Sequence, residues 1–181
     1  MTSSIPIKEA WKFCPRCGQA SEQTGCHPFH CDACDYSHYF SPFSAVGAII
    51  TDNQDRMFLI VRGREPGKGK LGMPGGFIDP GERAEEALIR EVYEETGLQV
   101  NDLNYLASFP NHYAYAGIIV DVTDMFFTAS VNSFDNIEVA EGEIDGFRFV
   151  DVANLSPEDF AFPTHQQALT EFIAQRNVGA K

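Results

Sequence analysis

Between Gly76 and Leu98 the chain reads GFIDPGERAEEALIREVYEETGL, and its carboxylates are spaced for metal chemistry. Ala84, Leu88 and Val92 recur every four residues and predict a helix from about Arg83 to Thr96. On such a helix Glu94 and Glu95 stand three and four residues from Glu91, so the three project to one side within an arc of about 100°. That placement is destabilising by itself. Like charges one turn apart repel by roughly a few tenths of a kcal/mol per pair. Glu94 and Glu95 also fall in the final turn, beside the negative end of the helix dipole. Clustered hard oxygen donors are what Mg²⁺ or Mn²⁺ requires, because these ions bind carboxylates and substrate phosphates together. Arg90, next to Glu91, could hold one glutamate by a charge-assisted hydrogen bond. On spacing alone, a solvated acidic face is the competing reading.

A second constellation lies upstream. Cys14-Pro-Arg-Cys17 and Cys31-Asp-Ala-Cys34 give two C-x₂-C knuckles separated by thirteen residues. Four thiolates from Cys14, Cys17, Cys31 and Cys34 suit a closed, tetrahedral, structural Zn²⁺ site with no open position for catalysis. Cys26, His27 and His30 are spare candidates, Cys26 reading as a free or packed thiol. All five cysteines precede residue 35, and the opening MTSSIPIKEAWKFC carries no signal-peptide core, so metal rather than disulfides is expected, in a soluble cytoplasmic protein.

Thirteen basic against 26 acidic residues give a formal charge of -13, which repels nucleic-acid backbones at long range. A polyphosphate substrate then needs metal ions or local cations to receive it. Five of the thirteen basic residues, Arg56, Arg62, Arg64, Lys68 and Lys70, lie in one short stretch ahead of the acidic helix. They read equally as a phosphate-receiving loop, with Arg62 and Arg64 foremost, and as a solubility loop.

The positioning elements follow from pattern. Phe43–Thr51 and Arg56–Arg62 read as strands around a DNQD turn, with a loop from Gly63 to Gly72 after them. Gly97 sits where a left-handed residue would end the acidic helix. Strand-like segments follow near 98–109, 116–130 and 144–151, and Pro163–Gln175 reads as a helix. No stretch reaches the length of a membrane span. The mixture argues for an α/β layer arrangement with a mixed sheet.

Read as G-x₅-E-x₇-R-E-x₂-E-E-x-G, with Val92 and Leu98 at its aliphatic positions, Gly76, Glu82, Arg90, Glu91, Glu94, Glu95 and Gly97 resemble the Nudix box at every defined position. The strand LIVR and the MPGGF entry are similar too, and the resemblance covers about Phe43 to the C-terminus. It implies a Nudix α/β/α sandwich with a mixed sheet, preceded here by a small zinc ribbon, with modules at 1–40 and 41–181. The implied activity is hydrolysis of a pyrophosphate bond. Glu91 and Glu95 are implied as main Mg²⁺ (or Mn²⁺) ligands, with Glu94 sharing a second ion or its water and the Gly76 carbonyl as a further ligand. Glu82 would orient ligands or bind a further ion, and Arg90 would brace the glutamates. Many members draw another glutamate from downstream; of Glu138, Glu141 and Glu143, the last is best placed, just before IDGFRFV.

A zinc ribbon joined to a Nudix domain resembles NADH pyrophosphatases and related bacterial proteins. Where those carry a motif beginning Ser-Gln-Pro-Trp, this chain reads SFPNHYAYAGI. The expected partner is therefore a class of small-molecule nucleotide: NADH, ADP-ribose or another nucleoside diphosphate derivative. Tyr113 and Tyr115 could stack on a nucleobase or simply pack in a strand. Family habit also allows a homodimer. The alternative is a catalytically silent Nudix-fold module that docks a partner through the zinc ribbon; retention of three mutually repelling glutamates argues against it.

Overall fold

The computed structural model describes the backbone of residues 4–179 and the side chains of residues 4–177. The outermost ends of the two expected modules, residues 1–3 and 180–181, lie outside the described residues. In chain order the elements are β1 (Ile5–Pro6), α1 (Ile7–Ala10), β2 (Phe29–Cys31), β3 (Tyr36–His38), β4 (Phe43–Thr51), β5 (Arg56–Arg62), β6 (Leu71–Gly72), α2 (Ala84–Thr96), β7 (Val100–Tyr115), β8 (Ile118–Val131), β9 (Ile144–Asp151) and α3 (Pro163–Gly179). Strands β1, β8, β4, β5 and β6 follow one another across a sheet, with β7 also on β8 and β9 also on β5. β1 runs parallel to β8, whereas β5 is antiparallel to β4, β6 and β9, so the sheet is mixed.

The residues gather into two compact units. One comprises the described residues up to Phe43 together with His112–Val122; the other comprises Ser44–Asn111 and Thr123 onward. The division expected from sequence was linear, at residue 40. The observed first unit also takes in the tip of the β7–β8 hairpin, a long-range association that no local pattern announces. That hairpin turns through Ala116 and Gly117, both left-handed (φ 49 and 81), a two-residue turn whose twist matches the flanking strands. This turn carries β7 on to Tyr115, beyond the expected end at 109.

In the second unit the alternation of β-strand side chains builds two cores. Ile50, Phe58 and Ile60 point to one side of the sheet and pack with Ala87, Leu88 and Val92 of α2. Ile49, Met57 and Leu59 point to the other and pack with Ala168, Leu169 and Phe172 of α3. Each face of β5 is therefore covered, which is why MFLI reads as an unbroken apolar run rather than an alternation. This is the α/β/α sandwich the resemblance implied.

The first unit has a much smaller core: Cys14, Phe29 and Cys31 are buried, with Trp11, Cys34, Tyr36 and Phe40 packed around them. Among the described residues no helix is long and apolar enough to cross a membrane.

Candidate active site

Helix α2 is anchored by its own apolar stripe: Ala87, Leu88 and Val92 are fully buried. Its entry is tied by the Arg83 amide donating to the Glu86 carboxylate at 3.0 Å. Its exit needs more help, because two glutamates stand beside the unpaired carbonyls of the last turn. Gly97, left-handed at φ 71, donates to the Tyr93 carbonyl. The segment before β9 supplies two further donors, Ala140 N to Glu95 O at 3.1 Å and Glu138 N to Thr96 O at 3.0 Å. Donors arriving from a distant loop replace the lysine that would ordinarily sit there.

The carboxylates are arranged around Arg90. Its Nε and Nη2 reach both oxygens of Glu82 at 2.8 Å, a fork-to-carboxylate pair. Its Nη1 reaches Glu91 at 2.8 Å and Glu94 at 3.2 Å, and Nη2 also donates to the Phe77 carbonyl at 3.1 Å. Hydrogen bonds from Arg90 hold the Glu82 carboxyl down at about 2, and those carboxylates in turn raise the guanidinium further above its ordinary value. Glu91 and Glu95 behave in the opposite way. Burial raises Glu91 despite its bond to Arg90, and burial pushes Glu95 up to about 8 against the pull of its bond from Gly75. The charges of Glu91 and Glu143 push Glu95 in the same direction, while that of Arg62 opposes them.

Two glycines make room for this. A Cβ on Gly76 would sit 2.4 Å from the Glu91 carboxyl carbon, and one on Gly75 would fall 2.1 Å from the Val46 carbonyl oxygen. The Gly75 amide instead donates to Glu95 Oε2 at 2.9 Å. The Gly76 carbonyl accepts from Val46 N at 2.8 Å, which leaves it one further lone pair. Glu91 and Glu95 are thus half-buried hard donors pushed toward protonation, a set short of positive charge. Their chemistry fits a divalent cation of the Mg²⁺ kind, which binds through one or two carboxylates and keeps several waters. Glu94 is more exposed and faces Arg90.

The cysteines meet a different test. Sγ of Cys14 lies 3.7 Å from that of Cys34, and Cys17 stands at the same distance from Cys31. Zn–S bonds of about 2.3 Å in a tetrahedron require sulfurs roughly 3.8 Å apart, so the four thiols fit zinc. Each knuckle is followed by a left-handed residue, Gly18 (φ 77) and Asp35 (φ 60), which turns the chain back. The gathered group is Cys14, Cys17, Cys31 and Cys34, all ligand atoms within 4.8 Å. Cys26 is exposed and His30 hydrogen-bonds Ser37, so the spare candidates stay outside it.

A helix with this spacing, loop and sandwich matches one family. The model of the NUDIX domain covers residues 41–172. The chain belongs to the Nudix family.

It is 32% identical over 149 residues to an ADP-ribose pyrophosphatase of Methanocaldococcus jannaschii, an alignment covering 78% of this chain and 79% of that one. It is 33% identical over 117 residues to an NAD-capped RNA hydrolase NudC of Pseudomonas fluorescens, covering 59% of this chain and 42% of that protein, less than half its length. Among solved structures, a NUDIX hydrolase from Nitrosomonas europaea superposes with a TM-score of 0.70 at 24% identity, over 93% of each chain, and shows the shared fold. The protein is a Nudix hydrolase.

The remaining sequence candidates distribute as follows in this Nudix domain. Glu143 pairs through Oε1 with Arg64 at 2.7 Å, and of the three downstream glutamates it is the one whose charge reaches Glu95. Arg62 stacks on the Phe162 ring at 4.9 Å and donates to the Pro66 carbonyl at 2.8 Å. Arg56 does not join the basic loop, because at the start of β5 it is bound to Asp52 at 2.6 Å. Tyr113 and Tyr115 fall in the other compact unit, on β7. Sequence reading missed His165, whose Nδ1 accepts from the Met73 amide at 3.1 Å and so secures the strand leading into Gly75 and Gly76. Its partner lies 92 residues away, and no local pattern carries that signal.

Proposed function

We propose that this Nudix hydrolase cleaves the pyrophosphate bond of a nucleoside diphosphate derivative, of the ADP-ribose or NADH class, and releases a nucleoside monophosphate. The observation that carries the reading is the pair Glu91 and Glu95, half-buried, with Glu91 filling the space that Gly76 leaves open and Glu95 accepting from the Gly75 amide, within reach of the charges of Arg62 and Glu143. The two relatives are named for ADP-ribose and for NAD-capped RNA, and both names concern nucleotides.

Glu91 and Glu95 would hold Mg²⁺ (or Mn²⁺), with Glu94 and the Gly76 carbonyl as further donors. Bound there, the ion would neutralise pyrophosphate charge and acidify water. The protein's own groups do the rest. Arg90 keeps Glu91 from swinging out and holds Glu82 ionised beside it. Arg62 and Arg64 meet the phosphate oxygens that the acidic surface would otherwise repel. Glu143, with Oε1 committed to Arg64, has Oε2 left to take the proton of the attacking water. In this division of labour residues 41–181 are the catalytic module, and 1–40 form a zinc ribbon that is structural and requires the reducing conditions of a cytoplasm.

The test is incubation with Mg²⁺ and ADP-ribose, NADH, dinucleoside polyphosphates and nucleotide sugars, with release of nucleoside monophosphate as the readout. Glu95→Gln should lower the rate by about 100-fold or more. Equal turnover without any divalent ion, or in that variant, refutes the mechanism. No turnover of any nucleotide would favour a binding module.

A further inference from the structure

The first unit contains a cavity of about 590 Å³ that the hydrolytic reading does not use. Every residue lining it belongs to that unit. Pro6, Ile7, Phe40 and Ile119 supply apolar wall, while Lys8, His27, His112 and Asp121 supply the polar groups. The volume lies within the range typical of small-molecule sites.

The lining specifies a chemistry. Phe40 and His27 are flat rings, 6.3 Å apart at an interplanar angle of 40°, suited to the face of a heterocycle. Asp121 meets His112, whose Nδ1 lies 2.9 Å from Oδ1, so Oδ2 remains to accept from an N–H donor. Lys8 is a point cation in a chain of net charge -13, and suits a phosphate. A bare anion would meet Asp121 unfavourably, and a plain apolar ring would offer nothing to the Lys8 cation or to Asp121 Oδ2. A planar base with an exocyclic amine, a sugar and one phosphate answers all three features.

We propose that this cavity, built from α1, the stretch around His27 and Phe40, and the β7–β8 hairpin, binds a nucleoside monophosphate with an amino-bearing base, of which AMP is the probe. The site is separate in its residues from the glutamate helix and does not rest on the hydrolase reading.

The molecule carries its own reporter. Trp11 is the sole tryptophan, and its ring meets Phe40 edge-on at 4.8 Å. The zinc-loaded full chain, with no other divalent ion added, is titrated with AMP while Trp11 fluorescence is excited at the red edge of the indole band, where adenine does not absorb. A saturable change with half-saturation at about 1 mM or below is expected. Asp121→Asn, at an exposed position, should weaken AMP by about tenfold. Lys8→Ala should weaken AMP by about fivefold and leave adenosine unchanged. Glu95→Gln should respond like the parent. The proposal is overturned by the absence of a saturable change, by an equal response to ribose 5-phosphate, or by Asp121→Asn and Lys8→Ala both binding AMP like the parent. Failure here leaves nucleotide turnover untouched, and failure of turnover leaves the fluorescence response untouched.

Discussion

The two metal-suited regions solve opposite problems. In the cysteine knuckles the four ligand atoms are already gathered within 4.8 Å, beside a small cluster in which Cys14, Phe29 and Cys31 are buried. In the glutamate helix the carboxylates ride on a sandwich with two full cores, and protein groups hold them, the Gly75 amide on Glu95 and Arg90 across Glu82, Glu91 and Glu94, while Gly76 leaves the space that Glu91 fills. A module that cannot bury enough apolar surface depends on its ion for folding. A module with its own cores can release and rebind an ion during turnover. On the proposed reading, the difference would separate a metal that builds structure from one that serves chemistry.

The largest effect that could break this contrast is loss of the zinc. Cys17→Ser should abolish stoichiometric zinc by metal analysis, since structural zinc contributes roughly 10 kcal/mol or more to small thiolate modules. Limited proteolysis should then cut the segment before Phe43 while a fragment carrying α2 persists. Retention of zinc in the variant, or simultaneous loss of both units, would show that the contrast is false. Next in size is Gly76→Ala. The added methyl would overlap the Glu91 carboxyl at 2.4 Å, and the carboxylate must move. Turnover should fall by about 100-fold, with an apparent Mg²⁺ affinity at least about tenfold weaker and a thermal midpoint close to the parent's. An unaltered Mg²⁺ dependence would mean that Glu91 is not held by that contact. Arg90→Lys comes third. It keeps the charge but loses the fork on Glu82, and should cost about tenfold in turnover, read as a fall in kcat with little change in KM.

Much of this contrast is visible in the primary structure, and the reason is locality. The cysteine knuckles and the positions Glu91, Glu94 and Glu95 are defined by spacings shorter than two helical turns, where chain geometry alone dictates who is near whom. The strands Phe43–Thr51 and Arg56–Arg62, and the stop at Gly97, were legible for the same reason. What escaped is joined across the chain: Arg62 on Phe162, His165 under Met73, Ala140 and Glu138 capping α2, and the hairpin tip in the first unit. The pair Gly75–Gly76 sits between these cases. Its glycines are plain in MPGGF, yet the carboxylate and the Val46 carbonyl that exclude a side chain appear only once the sheet has formed.

The last effect concerns stability in acid rather than turnover, and it separates the units by mechanism. His165 is enclosed by Phe126, Phe160 and Phe162, with Nδ1 accepting from Met73, so it must be neutral when folded. Burial drives its pKa down to about 3 from an ordinary 6.5. The unfolded chain therefore binds one more proton than the folded chain between those values, and the stability this group contributes is present above pH 6.5 and lost as pH falls toward 3. In the first unit acid would act otherwise, because a zinc ion held by the four cysteines is released when its ligands take up protons. His165→Asn, which keeps an acceptor for the Met73 amide, should flatten the acid limb of the second unit's stability by about one proton, measured by denaturant melts across that window. The pH of zinc release should stay where it was. A shift in zinc release would mean the two units do not respond to acid independently, and an unchanged limb would mean that His165 is already charged in the folded protein.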